Sequence, residues 1–289
     1  MPTTISRLTG LEDFVACEKL QADLVGASAR STLPVPALAA IDRSGGLLLG
    51  AWETEGGRRS LCGALVDLVA EADGYPARFS VLLAVDRAFA NRGVAQALRA
   101  AERAASVRAN VDLVYWWSDP LVGAAAHVAF NRLGAIATGH TRNALGPLDD
   151  EPNRGLATDR IRVEWWIDAP RVIAVLDEDR IPPHYGLGLD RMQLLTRSTT
   201  RPSGQRGPTS VDGTPTKPFV LVEVPADLRT LRARDPSAAR DWRLTCREAV
   251  ELLFSNGYLI VGFVHEGGRS FHLFERTDRG TVLGRSRAA

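Results

Sequence analysis

The segment from Phe79 to Trp117 constrains the fold of this chain most, because its hydrophobic period changes twice. Phe79–Val85 ends in a continuous apolar run, which is typical of a strand buried on both faces. Apolar residues then recur at helical spacing over Gly93–Ala109, with arginines on the opposite face. Val111–Trp117 returns to a strand pattern. This order predicts a parallel strand pair joined by a right-handed crossover.

The flanking segments extend this alternation of strands and helices. Strand patterns occur at Thr4–Leu8, Gly46–Trp52, Leu61–Ala70, Arg160–Ile167, Phe219–Val224, Tyr258–Val264 and Ser270–Glu275, and helical patterns at Leu11–Val25, Leu121–Leu133 and Pro236–Ser255. Residues 197–218 contain four prolines and three glycines but only one large apolar residue, so we predict a flexible loop there. The chain is therefore predicted to have a mixed α/β (α+β) fold.

Composition excludes several classes of function. The 35 basic and 34 acidic side chains leave a net charge of +1, without the basic surface that nucleic-acid binding requires. The longest stretch free of charged residues spans 14 positions, fewer than the ~20 that cross a bilayer. No signal-peptide pattern is visible, and the three cysteines lie far apart, without metal-ligand spacing. We expect a cytoplasmic protein with no metal, nucleic acid or membrane among its partners.

A turn of small and polar residues, Phe89–Gln96, leads from the buried strand into the helix. The first N–H groups of a helix lack internal partners and carry partial positive charge, so this turn is a candidate phosphate site. Gly93 and Ala95 are small enough for a pyrophosphate to approach the backbone, and Arg92 supplies a cation. The alternative is an ordinary strand-to-helix turn that binds no ligand, in which Gly93 is needed only for the backbone conformation.

The same residues resemble the central motif of the GCN5-related N-acetyltransferase (GNAT) superfamily, Arg/Gln-x-x-Gly-x-Gly/Ala. Gly93 and Ala95 match the motif, whereas Ala90 stands where Arg or Gln is usual. A second block, from Trp117-Ser118-Asp119-Pro120 to Leu133-Gly134-Ala135, resembles the superfamily's following strand and helix. This resemblance covers about residues 3–168.

A narrower resemblance, over most of the chain, is to a group of predicted bacterial acetyltransferases of similar length. It rests on Asp119-Pro120, on His127 with Asn131, and on the string Leu156-x-x-Asp-Arg-x-x-Val-Glu-Trp-Trp166. The resemblance implies a GNAT domain at residues 1–168. Residues 169–218 would be an irregular connection containing the loop at 197–218, and residues 219–289 a C-terminal α/β unit that packs on or completes the sheet.

The resemblance also implies a mixed central sheet whose fourth and fifth strands splay apart to bind acetyl-CoA or another acyl-CoA. The residues that would bind CoA are Leu83, Ala84 and Val85 on the fourth strand, and Asn91, Arg92, Gly93, Val94, Ala95 and Gln96 at the helix start. The acceptor amine would attack the thioester directly, and a backbone N–H of the fourth strand would stabilise the oxyanion.

This chemistry needs a base for the amine and an acid for the thiolate. The superfamily's usual acid, a tyrosine, is replaced here by Phe130, which cannot donate a proton. The catalytic candidates are Asp119, facing the amine, and His127 with Asn131, which lie four residues apart on one helix face. The alternatives are helix capping for Asp119, packing for His127 and backbone bridging for Asn131.

Candidate acceptor-site residues are Trp117, Arg142 and Glu164, with core packing and a structural ion pair as alternatives for Trp117 and Glu164. The resemblance implies an acyltransferase that moves an acetyl, or a succinyl, group to a primary amine of a small molecule such as an amino acid. The alternative is a non-catalytic CoA- or ligand-binding module, or a protein-interaction partner. The C-terminal unit could also form a homodimer interface.

Overall fold

The structure is a computed structural model that describes residues 3–25, 31–177 and 191–284. It divides the chain into two compact units. Unit 1 comprises Met1–Trp116 and Leu148–Pro152, and unit 2 comprises Trp117–Pro147 and Asn153–Ala289. The boundaries predicted at residues 168 and 218 therefore do not coincide with the division between compact units. The assignment of residues 1–168 as an acyl-CoA-binding domain stays a prediction.

Five strands of unit 1 lie in the order β1-β2-β3-β4-β5. The bounds are β1 Thr4–Arg7, β2 Leu47–Glu55, β3 Arg58–Ala72, β4 Tyr75–Val85 and β5 Leu113–Ser118, whose last two residues belong to unit 2; the helices are α1 Leu11–Val25, α2 Val35–Arg43 and α3 Val94–Arg108. Neighbouring strands from β1 to β4 are antiparallel, whereas β4 and β5 are parallel. The predicted strand, helix and parallel strand over residues 79–117 are thus confirmed.

Alternation along β2 distributes the core of unit 1 between two faces. Leu48 packs with Phe14 of α1 and Leu38 of α2. Its neighbours Leu47 and Leu49 belong to a second cluster, on the side of α3. Successive side chains of a strand point to opposite faces, so α1 and α2 cover one face of the sheet and α3 the other.

The close packing of α3 on the sheet depends on Gly63 in β3. A Cβ atom at Gly63 would lie 2.8 Å from Cγ1 of Val94, the first residue of α3. That distance is shorter than real Cβ contacts allow, so only glycine lets the start of α3 approach β3 this closely. The N-terminus of α3, which the sequence predicts as a phosphate site, therefore packs directly against the sheet.

Six strands of unit 2 lie in the order β7-β6-β12-β13-β11-β8. The bounds are β6 Ile136–Thr141, β7 Arg160–Trp166, β8 Gln193–Leu194, β11 Phe219–Val224, β12 Tyr258–Glu266 and β13 Arg269–Arg276; the helices are α4 Gly123–Ala126, α5 Pro170–Leu176, α6 Leu228–Arg234, α7 Pro236–Ser255 and α8 Arg279–Leu283. The predicted ends of α7 and β11 agree with the structure. No helix of the described ranges is long and apolar enough to cross a bilayer.

The prediction of a flexible loop over residues 197–218 is wrong in part. β9, Thr196–Thr200, and β10, Arg206–Val211, form an antiparallel hairpin. Polar contacts anchor it: Ser198 Oγ donates to Oε2 of Glu223 at 2.7 Å, and Nε of Arg206 donates to Oε1 of Glu223 at 3.0 Å. Pro208 lies at a register irregularity of β10, where a missing N–H is tolerated. A hairpin held by polar side chains has no apolar period to reveal it.

The predicted helix at Leu121–Leu133 is shorter and more irregular than expected. α4 ends at Ala126, and His127–Arg132 continues as a π-helix. The N–H of Leu133 donates to the carbonyl of Val128, five residues earlier, at 3.0 Å. Single π-helical turns are often found at functional sites, and this one carries two of the predicted catalytic residues.

Candidate functional site

β4 continues past the point where its pairing with β5 stops. The paired positions are Ala77 with Leu113, Arg78 with Val114, and Phe79 with Tyr115. The rings of Phe79 and Tyr115 stack with centroids 5.0 Å apart at the last paired position. From residue 80 to Val85, β4 pairs with β3 on one side and, among the described residues, with no strand on the other. This confirms the predicted splaying of the fourth and fifth strands.

The side chains of the predicted CoA contacts on β4 are engaged in packing. Leu83 and Val85 pack in the cluster beneath α3, and Ala84 packs on the face covered by α1 and α2. The free side of this part of β4 is therefore its backbone edge. Every second residue of an unpaired strand edge presents an N–H and a C=O, so this edge can bind an extended ligand as an added strand would be bound.

The turn between β4 and α3 uses two left-handed backbone conformations. Asp86 accepts a hydrogen bond from the N–H of Ala88 and caps a single 3-10 turn, Arg87–Phe89. Asn91 and Gly93 then have φ angles of 61° and 78°. Residues with small polar side chains or none adopt this conformation most easily, which is why the chain can turn directly from strand to helix here.

The start of α3 has the free donors that the sequence predicts. Gly93 is the N-cap, and no side chain caps the helix. The first backbone bond in the helix runs from the N–H of Ala97 to the carbonyl of Gly93 at 2.9 Å, so the N–H groups of Val94, Ala95 and Gln96 precede it. Asn91, Arg92, Gly93 and Gln96 are exposed, and Ala95 is half-buried. A phosphate group would meet backbone donors and the helix dipole here.

Arg92 is the cation closest in sequence to these donors. Its guanidinium carbon lies 5.1 Å from the ring centroid of Phe89. Arg87, by contrast, donates to the carbonyl of Leu24 at 3.1 Å and lies 3.7 Å from Glu151. Arg92 is therefore the better placed of the two arginines to contact a bound phosphate.

Asp119 makes an ion pair and does not cap a helix. Its Oδ1 accepts from the N–H of Leu121 at 2.8 Å, whereas α4 begins four residues later with Val122 as its N-cap. Nη2 of Arg243 donates to its Oδ2 at 2.6 Å, and Nη1 of Arg160 lies 3.6 Å from the same atom. The capping alternative is wrong because residues 120–122 form a turn before the helix. The Asp119 carboxylate is therefore already in contact with two arginines.

His127 and Asn131 contact each other, as their spacing predicts. Nδ2 of Asn131 lies 3.1 Å from Nδ1 of His127. The Asn131 amide also bridges the backbone of β12: Nδ2 donates to the Phe263 carbonyl at 2.6 Å, and Oδ1 accepts from the Phe263 N–H at 3.0 Å. Asn131 is thus a structural link between the π-helix and β12, and a direct CoA contact through its amide would break these bonds.

The bridge also fixes the proton on His127. Because Oδ1 of Asn131 accepts from a backbone N–H, Nδ2 must be the donor towards His127, and Nδ1 of the imidazole accepts. Burial, and then the charge of Arg132, lower the pKa of His127. A neutral His127 therefore carries its proton on Nε2, from which it can be donated.

Phe130 and Glu164 are buried. Phe130 is inaccessible to solvent, and its side chain has no proton to donate, so it cannot replace the usual tyrosine as an acid. Glu164 accepts from Thr138 Oγ1 at 2.8 Å and from Trp166 Nε1 at 3.1 Å, and Arg279 and Arg162 lie within 3.2 Å of its carboxylate. These contacts favour the alternative that Glu164 belongs to a structural ion pair.

The other two acceptor candidates are accessible. Arg142 is exposed and makes a bidentate ion pair with Glu251 of α7, in which Nε lies 2.6 Å from Oε1. Trp117 is 39% exposed near the end of β5. No described group of three His, Cys, Asp or Glu side chains is arranged to hold a metal ion.

Unit 2 contains a further buried ion pair that the sequence patterns did not indicate. The carboxylate of Asp159 accepts from Nε and Nη2 of Arg247 at 2.7 and 2.8 Å, and Nε2 of His140 lies 3.7 Å away. Burial would raise the pKa of Asp159, but hydrogen bonds from Arg247 and the Asn143 N–H, with His140 nearby, outweigh it and hold that pKa well below its usual range. The four-residue spacing of Arg243 and Arg247 on α7 is the available sequence signal.

No protein-family model matches the chain, and no curated protein matches it in sequence. Solved structures that resemble it include the ribosomal-protein-S18-alanine N-acetyltransferase from Escherichia coli (17% identity, 57% of this chain and 94% of that chain, TM-score 0.45). An N-acetyltransferase from Staphylococcus aureus Mu50 is 14% identical, with 58% of this chain and 100% of that chain covered and a TM-score of 0.47. The structure of yncA, a putative acetyltransferase from Salmonella typhimurium with its cofactor acetyl-CoA, is 16% identical, with 58% of this chain and 95% of that chain covered and a TM-score of 0.45. The chain is therefore similar to these acetyltransferase structures over somewhat more than half its length.

Proposed function

We propose that the chain binds an acyl-CoA along the unpaired edge of β4 and at the start of α3, and transfers its acyl group to an amine. The observation that carries this proposal is the continuity of the two elements. β4 runs to Val85 without a partner on its free side among the described residues, and the chain then turns into a helix whose first N–H groups are free. An extended chain ending in phosphates, such as the pantetheine arm of CoA, matches both parts.

The residues present fit the two ends of such a ligand. Amide groups of a pantetheine arm can pair with the backbone edge of β4 beyond Phe79. At Gly93, an added Cβ would meet nothing closer than 3.7 Å, so the surface over this turn is open. Arg92 and the N–H groups of Val94 to Gln96 would hold the pyrophosphate.

Within this proposal, the chain contributes mainly by positioning. A backbone N–H of β4 beside the thioester would stabilise the negative charge that develops on its oxygen. Holding the amine and the acyl carbon together can supply much of the rate acceleration. The acceptor that we propose is the primary amine of a small molecule such as an amino acid, and the acyl group is acetyl or succinyl.

His127 is the group that we propose for proton transfer, with Asn131 as the residue that positions it. The Asn131 bridge to Phe263 leaves Nε2 of the imidazole carrying the proton, which suits donation to a departing thiolate. Asp119 is a weaker candidate for the base, because Arg243 and Arg160 neutralise it. Trp117 and Arg142 remain proposed acceptor contacts.

A thiol-release assay tests the activity. Acetyl-CoA and succinyl-CoA are incubated with the full chain and a panel of primary amines that includes amino acids, and free thiol is measured. Amine-dependent thiol release supports the acyltransferase. CoA binding in calorimetry without turnover on any amine would instead identify a non-catalytic CoA-binding module. Absence of CoA binding would contradict both.

Substitution of Gly93 tests where CoA binds. We expect Gly93→Asp to weaken CoA binding about a hundredfold, because it places a negative charge beside the proposed pyrophosphate. Gly93→Asn is the matched control: it has the same size and the same need for a positive φ, but no charge. Isothermal titration of CoA into both variants gives the comparison. Equal CoA affinity of the two variants would place the phosphates elsewhere.

A further inference from the structure

Unit 1 contains a cavity of about 540 Å³ at the other end of α3. Its walls include Leu47 and Leu49 of β2, Ala104 of α3, and three arginines, Arg7, Arg78 and Arg108. Gly93 precedes this part of α3 by about 12 residues, or about 18 Å at the helical rise. The cavity is therefore separate from the proposed phosphate site, and the inference drawn from it does not rest on the proposed function.

The cavity is electropositive. Its lining contains three arginines and no acidic residue among those described. Arg7 donates to the carbonyl of Gly46 at 3.1 Å and lies 3.8 Å from Asp42. Arg108 is exposed at the last turn of α3. Apart from the polar Ser6, the remaining walls are apolar and are formed by Ile5, two leucines of β2 and alanines at the end of α3.

Arg78 is the residue that most requires a partner. It is 8% exposed, and its Nε is buried without a hydrogen-bond partner among the described residues. Among the residues that the structure describes, Arg78 makes no ion pair, and burying a guanidinium nitrogen without a partner is unfavourable. A buried cation that lines a cavity and lacks a counter-charge indicates that the cavity receives an anion.

The buried acids on this face of the sheet do not provide that counter-charge. Glu102 is fully buried and is bonded to Arg99, with both carboxylate oxygens within 2.9 Å of Nη1. Asp67 lies opposite Ser80, two residues along β4 from Arg78. Burial, and then the charge of Glu102, raise the pKa of Asp67 well above its usual range, which disfavours its charged form. The positive charge of Arg78 is therefore left uncompensated.

We infer that this cavity binds a small organic anion that joins a carboxylate or phosphate group to an apolar body. Guanidinium groups of Arg78 and Arg108 can form paired hydrogen bonds to either anion. Leu47, Leu49 and the alanines of α3 provide the apolar wall for the rest of the molecule. A volume of about 540 Å³ lies within the range of small-molecule sites.

The test uses probes that differ only in their polar group. Benzoate, phenyl phosphate and uncharged benzyl alcohol are titrated into the full chain by calorimetry at matched ionic strength. Phenyl phosphate is also titrated into Gly93→Asp, which removes phosphate binding at the start of α3 from the comparison. We expect one or both anions to bind at least tenfold more tightly than benzyl alcohol. The preferred probe distinguishes a carboxylate site from a phosphate site, and equal weakness of all three probes overturns the inference.

Two variants locate the binding. Ala104→Trp should fill the cavity and weaken binding of the preferred anion at least tenfold. Ala100→Trp, one turn earlier on α3 and outside the lining of the cavity, should leave the anion affinity unchanged. Arg78→Met should abolish the preference for anions over benzyl alcohol. Because Ala104 is exposed, its variant is informative even if Arg78→Met fails to fold. Unchanged anion affinity in Ala104→Trp would overturn the inference.

Discussion

At the scale of single residues, His272 shows how burial sets protonation. The side chain of His272 is inaccessible to solvent, and its Nε2 lies 2.6 Å from the carbonyl of Pro120. Burial lowers the pKa of His272 to about 4, and the hydrogen bond to Pro120 only partly opposes this. The imidazole is therefore neutral in the folded protein at neutral pH and donates its Nε2 proton to the carbonyl.

This lowered pKa predicts a loss of stability in mild acid. An unfolded histidine binds a proton below about pH 6.5, whereas folded His272 does so only near pH 4. The unfolded state thus binds more protons between these values, and the free energy of unfolding should fall by about 3 kcal/mol as pH falls through them. In His272→Gln this dependence should be weaker, and in the control His265→Gln it should be retained. Urea unfolding at pH 7 and pH 4 gives the change in the free energy of unfolding for each protein. An equal change in the unmodified chain and in both variants would contradict the prediction.

The sequence singled out several polar residues but gave no indication of their partners. Asp119, Asn131 and Glu164 were nominated from motifs, and each is bonded to a residue more than 100 positions away: Arg243, Phe263 and Arg279, respectively. Sequence periodicity reports which residues share a face of one element, and it carries no information about contacts between distant elements. The sequence alone could therefore not show that Asn131 bridges the backbone of another strand or that Glu164 forms an ion pair.

At the scale of elements, α7 binds two carboxylates of unit 2 through arginines one turn apart. Arg243 pairs with Asp119, and Arg247 pairs with Asp159. Asp235 caps the helix through the N–H of Ala238, and Pro236 occupies its first turn, so local signals located its ends from sequence. The hairpin β9–β10 lacked such signals, because its anchoring contacts run to Glu223 of another strand.

Removal of the Arg247 side chain should destabilise the fold by leaving the buried carboxylate of Asp159 without its main partner. We expect Arg247→Met to lower the free energy of unfolding by about 3 kcal/mol at pH 7. Arg240→Met, on the exposed side of α7, is the matched control and should change it little. Urea unfolding of both variants gives the difference.

The effect of Arg247→Met should depend on pH with a defined sign. The folded-state pKa of Asp159 lies below that of an unfolded aspartate, so its ion pair stabilises the fold above about pH 4 and loses this effect as pH falls towards the folded pKa. The difference between Arg247→Met and the unmodified chain should therefore shrink below pH 4. A difference that stays constant down to pH 3 would show that Arg247 acts through packing instead of charge.

At the scale of the whole molecule, the two proposed ligand sites both belong to unit 1, whereas the proposed proton-transfer residue belongs to unit 2. The strand pattern and helical period of residues 79–117 were sufficient to predict the framework of the first site. The cavity at the end of α3 was not predictable, because it is lined by β1, β2, β4 and α3, which are separated in sequence.

Hydrogen exchange of the full chain distinguishes these sites in one experiment. CoA should slow amide exchange at residues 80–97, because the edge of β4 and the first N–H groups of α3 would become hydrogen-bonded. The anion that binds the cavity should instead slow exchange at residues 101–109, at the end of α3. In Gly93→Asp, the CoA-dependent protection should disappear while the anion-dependent protection remains. Protection by CoA confined to residues 117–147 would show that β4 and the start of α3 do not bind CoA.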